Sequence, residues 1–352
     1  MSSDVVDPPE FAAVPEELRP ASAPARPGGF HPAVAVLAPA VVAGVALLVH
    51  FYLPNRQALP RSWMDRLAAW QHPYPVLLVA VLAASLLAAA GQWAWSPLRP
   101  WVRHTAPLLA AALASVCAGE IVTAKTAWMP QPYFPGPDEV LGALVEDRSM
   151  LFESTWHSLR LLLVGYATGV AAGLVTGVLI GWSRRARYWG LPLLKVLGPL
   201  PATALVPLVM LLPLPEFFCG TALIALAVWF PVTMLTSSGI MNVRVSHLDV
   251  ARTLGADRLY LILRVAVPSA LPSIFVGLFM GLVVSFLTLI VAESVGVKAG
   301  LGWYIPWRKG YADYAYVWAA LVIVAAFCSS LMTLLFKVRD RVLKWQKGVI
   351  KW

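Results

Sequence analysis

The 352-residue chain is 59% hydrophobic and only 13% charged, whereas a soluble domain carries about 25% charged residues. This deficit excludes a water-facing surface around a single core and indicates that much of the chain faces lipid. The net charge is +9, but Lys and Arg cluster in short stretches beside apolar runs. That pattern is typical of the cytoplasmic loops of membrane proteins and argues against a nucleic-acid-binding surface.

The first 31 residues are polar, rich in Pro and Ala, and net acidic. A secretory signal would begin with positive charge and continue into a short apolar core. Residues 1–31 are therefore predicted to be a disordered cytoplasmic tail, and the first apolar run is predicted to be a retained membrane anchor.

A helix that crosses the hydrocarbon of a bilayer needs about 20 apolar residues. Applied along the chain, this rule predicts an all-α polytopic membrane protein with about eight spans. The predicted spans are 32–53, 74–95, 106–128, 157–182, 189–213, 218–240, 268–291 and 315–337.

Loop charges predict the orientation, because Lys and Arg are retained on the cytoplasmic side. The basic tail 337–351 and the loops 184–187 and 242–264 are expected in the cytoplasm, and the acidic loop 129–156 outside. An even number of spans then places both termini inside a multi-pass inner-membrane protein. The loop 54–73 disagrees, because it is expected outside yet carries several arginines. The first two spans are alternatively peripheral or re-entrant.

The fourth predicted span carries a glycine at every fourth position. Glycines at this spacing form one smooth stripe that lets another helix approach closely. They are interpreted as a packing feature and not as a phosphate-binding loop. The stripe consists of Gly165, Gly169, Gly173, Gly177 and Gly181.

The fifth predicted span is unusually rich in proline, which removes a backbone donor and kinks a helix. In lipid such a kink is tolerated where protein or a water-filled cavity satisfies the freed carbonyls. The span is interpreted either as part of a solute pathway or as a kinked packing helix. Its prolines are Pro192, Pro199, Pro201, Pro207 and Pro213, of which Pro199, Pro201 and Pro207 are the pathway candidates.

Segment 246–268 is a predicted cytoplasmic loop with helical features. Ser246 and Asp249 fit a capping box that would start a short helix, and Gly255 would end it. A second amphipathic stretch then runs to Pro268, which is expected to open the next span. The apolar side chains on the short helix need a covering surface, which is either a partner protein or the lipid headgroups. These side chains are Leu248, Val250 and Leu254.

Few charged residues lie in or near the spans, and each is a functional candidate by default. Glu293, at the outer end of the seventh span, is assigned a structural or gating role. Direct contact with an anionic substrate would require a cationic partner such as Arg308 or Lys309. Glu120 and Lys125 are five residues apart, which is not a favoured pair spacing on an α-helix. They are expected to snorkel towards the outer interface.

An aromatic cluster follows Glu293 and is interpreted as a membrane-interface belt, or alternatively as a docking surface for a substrate-binding protein. The cluster consists of Trp303, Tyr304, Trp307, Tyr311, Tyr314, Tyr316 and Trp318. The three cysteines lie far apart in apolar runs and are interpreted as small packing residues, with no metal-ligand spacing. They are Cys117, Cys219 and Cys328.

The sequence lacks the motifs of common catalytic sites. It has no G-x-x-x-x-G-K-[ST] phosphate loop, no H-E-x-x-H and no G-x-S-x-G. The chain is therefore predicted not to be an enzyme, and transport energy must come from elsewhere. The competing functions are a secondary transporter driven by an ion gradient, which often has buried charges near the midplane, and an intramembrane enzyme.

Segment 249–268 resembles the EAA loop of ABC importer permeases, whose pattern is E-A-A, three residues, G, nine residues, I, one residue, L-P. Asp249-Val250-Ala251 stand at E-A-A and Gly255 at the glycine. Val265 stands at the isoleucine and Val267-Pro268 at L-P, so the spacing matches throughout. The resemblance implies that the helix docks into a groove on a separate ATPase subunit. Coupling is assigned to Ser246, Leu248, Asp249, Val250, Ala251, Leu254, Gly255, Ala256 and Pro268.

Other stretches resemble the permeases for aliphatic sulfonates, taurine and nitrate, among them Ser158-Leu159-Arg160, Ala292-Glu293 and Gly300-Leu301-Gly302. The resemblance implies a six-helix, type I-like permease domain over 106–352, with the helices of 32–105 as an addition. It implies a small organic or inorganic anion as substrate; a vitamin precursor or an aromatic acid is the alternative.

The same resemblance implies the partners. They are a cytoplasmic ATPase, in two copies, that binds ATP and Mg, a second permease copy, and an extracytoplasmic substrate-binding protein. No cofactor is expected on this chain itself.

Overall fold

The computed structural model describes residues 32–53, 55, 73–94, 98–198, 200–297 and 299–345, and these residues form helices without a strand. The described residues within Met1–Tyr52 and Leu77–Ala118 form one compact unit, and those within Leu53–Val76 and Gly119–Trp352 form another. The predicted tail 1–31, most of the loop 54–73 and Pro199 lie outside the described residues.

Twelve helices are described and are numbered here in chain order. They are α1 (Pro32–Tyr52), α2 (Pro73–Ala94), α3 (Leu98–Glu120), α4 (Pro137–Glu146), α5 (Arg148–Trp182), α6 (Arg184–Leu197), α7 (Val206–Met210), α8 (Glu216–Met241), α9 (Val245–Thr253), α10 (Arg258–Val295), α11 (Leu301–Gly310) and α12 (Tyr314–Val342). A π-helical turn, Ile121–Lys125, continues α3, and a second one, Leu261–Ala266, lies inside α10.

Six of the predicted spans correspond to helices long and apolar enough to cross a membrane, namely α2, α3, α5, α8, α10 and α12. The predicted span 189–213 is instead two helical pieces, Arg184–Leu197 and Ala202–Val209, bent by 77°. The apolar part of α1, Val36–Tyr52, is shorter than the others. The described residues therefore supply six spans, or seven with the bent pair, in place of the eight expected.

Helices α5 and α8 pack in parallel along the glycine stripe. A Cβ added at Gly165 would lie 2.7 Å from Ile224, and one added at Gly181 would lie 2.8 Å from Ile240. Gly173, between them, faces Val232 at 2.8 Å. Contacts this short leave no room for a methyl group, so the stripe permits a close approach of the two backbones.

Helix α10 runs antiparallel to α8, because Gly277 faces Leu235 while the later Gly281 faces the earlier Val228. Helix α12 in turn runs antiparallel to α10. Phe279 stacks on Phe336 with centroids 5.5 Å apart, and Phe286 meets the earlier Phe327 at 6.3 Å.

The bent pair crosses the bundle from one end to the other. Since α5 and α8 are parallel, the chain between them must return to the end where α5 began. Its contacts along α8 follow this course: Gly198 lies against Phe230, and Val206 packs with Leu223 nearer the start of α8. The pair is thus a broken span, and the proline-rich gap lies where its axis bends.

These directions place the charges of this unit at two opposite ends. One end carries the end of α5, α9, the start of α10 and the end of α12, and it is strongly basic; we call it the basic end. Its described charged residues are Arg184, Arg185, Arg187, Arg244, Arg252, Arg258, Arg264, Lys337, Arg339, Arg341 and Lys344, with Asp249, Asp257 and Asp340.

The opposite end, called here the acidic end, carries α4, α11 and the junctions next to them. Its described charged residues are Asp138, Glu139, Glu146, Asp147, Glu153, Glu216, Glu293 and Asp313, with Arg148, Arg160, Arg308 and Lys309.

Candidate functional site

Helix α9 lies at the basic end, between the end of α8 and the start of α10. It begins at Val245, with Arg244 at the N-cap and no side-chain cap. The predicted capping box of Ser246 and Asp249 is therefore wrong, because the helix starts before Ser246 and leaves Asp249 beyond its first turn. Asp249 instead accepts a hydrogen bond from Arg252 at 2.9 Å, an exposed i,i+3 pair.

The end of α9 is fixed by Gly255, where the sequence places it. Gly255 has φ +84°, a left-handed conformation that costs a residue with a Cβ about 1–2 kcal/mol. Its N–H donates to Arg252 O at 2.9 Å, and Ala256 N–H donates to Ala251 O at 3.0 Å. These two bonds form a Schellman motif, which satisfies the last carbonyls of the helix without any side chain.

The chain restarts as a helix directly after this turn. The Asp257 side chain accepts from the Tyr260 N–H at 2.8 Å, so Asp257 caps the start of α10. The helix that contains the span therefore begins at Arg258, ten residues before Pro268, where the span was predicted to open. The backbone changes from π to α geometry at Val267, which puts Pro268 in the first α-helical turn, where its missing donor is tolerated.

Helix α9 presents apolar side chains to the exterior. Leu254 is 82% exposed and Val250 61%, while Leu248 is half-buried. An open cleft of about 520 Å³ lies between α9 and the start of α10. It is lined by His247, Val250, Ala251, Leu254, Gly255, Ala256, Asp257, Tyr260, Arg264 and Val265. None of the residues that the structure describes covers the apolar face of α9.

Glu293 lies at the acidic end and is fully buried. Its carboxylate accepts hydrogen bonds from Ser158 Oγ at 2.8 Å and from the Gly302 N–H at 2.8 Å. Ser158 Oγ also accepts from the Leu301 N–H at 2.9 Å. The two side chains thus bind the free N–H groups at the start of α11, where negative charge is favoured.

The glycines around this contact make room for the carboxylate. Gly300 has φ +101°, and a Cβ there would lie 2.1 Å from Glu293 Oε1. His157 Nδ1 lies 3.8 Å from the same oxygen. Glu293 therefore joins α10, α5 and α11 through one buried carboxylate.

Arg308, the cationic partner suggested for Glu293, is engaged elsewhere. Its guanidinium pairs with Asp147 and, at 3.3 Å, with Asp313, and it lies 4.2 Å from the Tyr316 ring centroid. The Tyr304 hydroxyl also donates to Asp147 at 2.5 Å. Burial raises the pKa of Tyr304, and the hydrogen bond to Asp147 raises it further, so Tyr304 remains a donor.

Two of the proline pathway candidates lie in the bent pair: Pro201 precedes its second piece and Pro207 lies in α7. Both are exposed within this chain.

Glu120 and Lys125 do not snorkel, contrary to prediction. Their side chains are almost fully buried, with Lys125 Nζ 3.6 Å from Glu120 Oε1. The reason is the π-helical turn that links them, whose i→i+5 bonds bring residues five apart together. Tyr74 Oη donates to Glu120 Oε2 at 3.0 Å, and Lys125 Nζ donates to Leu53 O at 2.8 Å.

Sequence reasoning missed the contacts of Ser158 and Asp147. In the sequence, Ser158 stands out only within the stretch Ser158-Leu159-Arg160 that resembles the permeases, and Asp147 is one residue of the acidic loop 129–156. The available signal was Gly300-Leu301-Gly302, since two glycines around a helix start indicate a close approach by another group.

Residues 169–344 match the family described as binding-protein-dependent transport system inner membrane component. An aliphatic sulfonates transport permease of Bacillus subtilis is 31% identical over 56% of this chain and 72% of its own length. The taurine transport system permease of Escherichia coli is 27% identical over 64% and 86%.

A formylaminopyrimidine transport permease of Halalkalibacterium halodurans is 26% identical over 62% of this chain and 88% of its own length. The family match spans half of the chain and includes the glycine stripe from Gly169 onward, α9 and α10. This chain therefore belongs to the binding-protein-dependent transport system inner membrane components, the permease subunits of ABC transporters.

Proposed function

We propose that the chain forms the translocation pathway of an ATP-driven importer and that α9 is its coupling helix. The observation that carries this proposal is the uncovered apolar face of α9, with Leu254 82% exposed. An apolar helix face of this kind fits a groove on a partner protein. The partner is a cytoplasmic ATPase subunit, which binds ATP and Mg.

The charge distribution supports a cytoplasmic position for α9. Lys and Arg dominate the basic end, and the acidic end carries an excess of Asp and Glu. By the positive-inside rule the basic end faces the cytoplasm. The two coverings considered for this apolar face are a partner protein and the lipid headgroups. The partner protein is favoured, because α9 is a short helix between two spans and the Schellman turn holds its end rigidly.

Force applied to α9 would reach the spans by two routes. The helix joins α8 directly at one side and α10 through the Gly255 turn at the other. The π segment Leu261–Ala266 lies one turn into α10, after Arg258–Tyr260, and π turns are frequent at functional sites. Helices α8 and α10 would then either line the solute pathway or change its shape by moving. The broken span is part of the same pathway.

For the substrate we propose a small organic or inorganic anion, such as a sulfonate. The names of the Bacillus subtilis and Escherichia coli relatives support this class. The formylaminopyrimidine permease supports a vitamin precursor as the second candidate. Selectivity would lie mainly in the substrate-binding protein, which docks at the acidic end, and two copies of this chain would enclose the pathway.

The test is coupled transport in vesicles with the partner ATPase and binding protein. Gly255→Pro should abolish ATP-dependent uptake, because proline cannot adopt φ +84° and has no N–H to donate to Arg252 O. Gly255→Asn is the matched control, since Asn tolerates the left-handed conformation. Asp249→Lys, which reverses an exposed charge on α9, should also uncouple ATP hydrolysis from uptake. Normal uptake by Gly255→Pro would contradict the proposal.

A further inference from the structure

A groove between α10 and α12 lies near the basic end, outside the coupling site. Its volume is about 260 Å³, and it is lined by Pro272, Phe275, Val276, Phe279, Leu335, Phe336 and Arg339. Six of these seven side chains are apolar. Three of the lining side chains are aromatic, and two of them, Phe279 and Phe336, stack with an angle of 28° between their ring planes.

Arg339 is the only charged residue that lines the groove, and its side chain is partly exposed. Its guanidinium is 4.8 Å from the Phe336 ring centroid, and its Nε and Nη2 donate to Asp340 Oδ1 at 3.1 and 2.9 Å. Three further exposed cations, Lys337, Arg341 and Lys344, follow the same end of α12. Asp340 is the single acidic residue in 337–344, so this segment keeps a strong positive charge.

The position of Arg339 along α12 matches a membrane boundary. Tyr314, Tyr316 and Trp318 lie at its other end, where aromatic side chains favour the interface. The helical rise from Trp318 to Arg339 is about 31 Å, close to the roughly 30 Å of bilayer hydrocarbon. Arg339 therefore lies at headgroup depth, and the apolar part of the groove lies just inside the hydrocarbon.

We propose that this groove binds one anionic phospholipid. An acyl chain lies against Val276, Phe279 and Phe336, and the phosphate lies beside Arg339 at the basic end. A basic side chain beside a groove between two spans is the arrangement that retains anionic headgroups, and here Arg339 supplies it. The proposal does not depend on which side of the membrane the basic end faces.

A second copy of this chain is a poorer occupant than a lipid. A twofold contact through the groove would place the same surface of both copies face to face. The cations of 337–344 would then meet their own counterparts, and like charges across an interface oppose association. An anionic headgroup instead complements them.

The test is native mass spectrometry of the full-length permease titrated with phosphatidylglycerol or with phosphatidylcholine of the same acyl chains. Phosphatidylglycerol should bind more tightly, and Arg339→Gln should weaken it about fivefold. Asp340→Asn should strengthen it, because the competing carboxylate is removed. Lys309→Gln makes the same charge change as Arg339→Gln at the acidic end and should leave binding unchanged.

A groove-filling variant tests the acyl-chain site separately. Val276→Trp should weaken both lipids, since its side chain occupies the groove. Equal binding of the two lipids, or equal losses in Arg339→Gln and Lys309→Gln, would overturn the proposal. Full competition by inorganic phosphate would overturn it too, as would disulfide formation between two copies of a Val276→Cys chain.

Discussion

The two ends of the bundle are built in opposite ways. At the acidic end, one buried carboxylate, Glu293, binds groups on two other helices, and Arg308 ties α11 to Asp147. At the basic end, α9 is closed by its own backbone at Gly255, and its apolar side chains stay exposed. Side-chain networks buried in protein hold helices in fixed positions. A helix capped by its own backbone keeps its shape and can still be moved as a unit.

The comparison suggests that the acidic end acts as an anchor and the basic end as the moving part. Stability should then depend strongly on side chains at the acidic end and along the glycine stripe. Coupling should depend on α9, whose substitutions should cost little stability.

The largest effect is expected at the anchor. Glu293→Ala leaves Ser158 and the Gly302 N–H without their acceptor in a buried site and should destabilise the permease by about 3 kcal/mol. Thermal unfolding in detergent measures this change. Glu153→Ala, which removes an exposed carboxylate of the same end, should leave the Tm nearly unchanged. Equal Tm values for the two variants would break the comparison.

The glycine stripe should show the next largest effect. Gly173→Leu places a side chain where a Cβ would already lie 2.8 Å from Val232, and overpacking of this kind costs about 1–3 kcal/mol. Gly142→Leu is the control, because a Cβ at Gly142 meets nothing within 4 Å. The same unfolding assay should show a lowered Tm only for Gly173→Leu.

A smaller effect on stability is expected at the end of α9. Gly255→Ala keeps the N–H of the Schellman motif but strains the left-handed backbone, at a cost of about 1 kcal/mol. Because the turn is exposed, the spans should stay folded while the ATPase rate per solute transported rises. A large fall in Tm would show that this end also serves as an anchor.

The smallest effect is expected for the surface pair on α9. Asp249→Asn removes an exposed i,i+3 contact with Arg252, which is worth less than about 0.5 kcal/mol. Its Tm should match the wild type at high and low salt. A fall of several degrees would indicate that the Asp249–Arg252 pair helps to hold α9 in place.

Sequence patterns predicted features that depend on neighbouring residues. Six spans follow from hydropathy, and the end of α9 follows from Gly255, whose left-handed backbone is a local property. The sequence patterns did not predict features that depend on distant contacts or on a change in helix geometry. The capping box failed because the helix begins at Val245, and the burial of Glu120 with Lys125 depends on a π turn that a period of 3.6 does not anticipate.

The contacts of Glu293 were beyond sequence reasoning for a different reason. Ser158 and Gly302 approach it from different helices, and nothing local to Glu293 indicates which groups donate to it. The assigned structural or gating role stays a prediction that Glu293→Ala addresses.

The four-residue repeat of the glycine stripe restricts how α5 and α8 can move. From Gly165 to Gly181, each glycine packs against one side chain of α8, and the register is the same at every glycine. Sliding by one residue would move these α8 side chains off the glycines, and the next matching register is four residues, or about 6 Å, away. Small axial shifts are therefore forbidden. The two helices should move together as one rigid body, so that a small displacement at one end tilts the pair across the whole thickness of the bilayer.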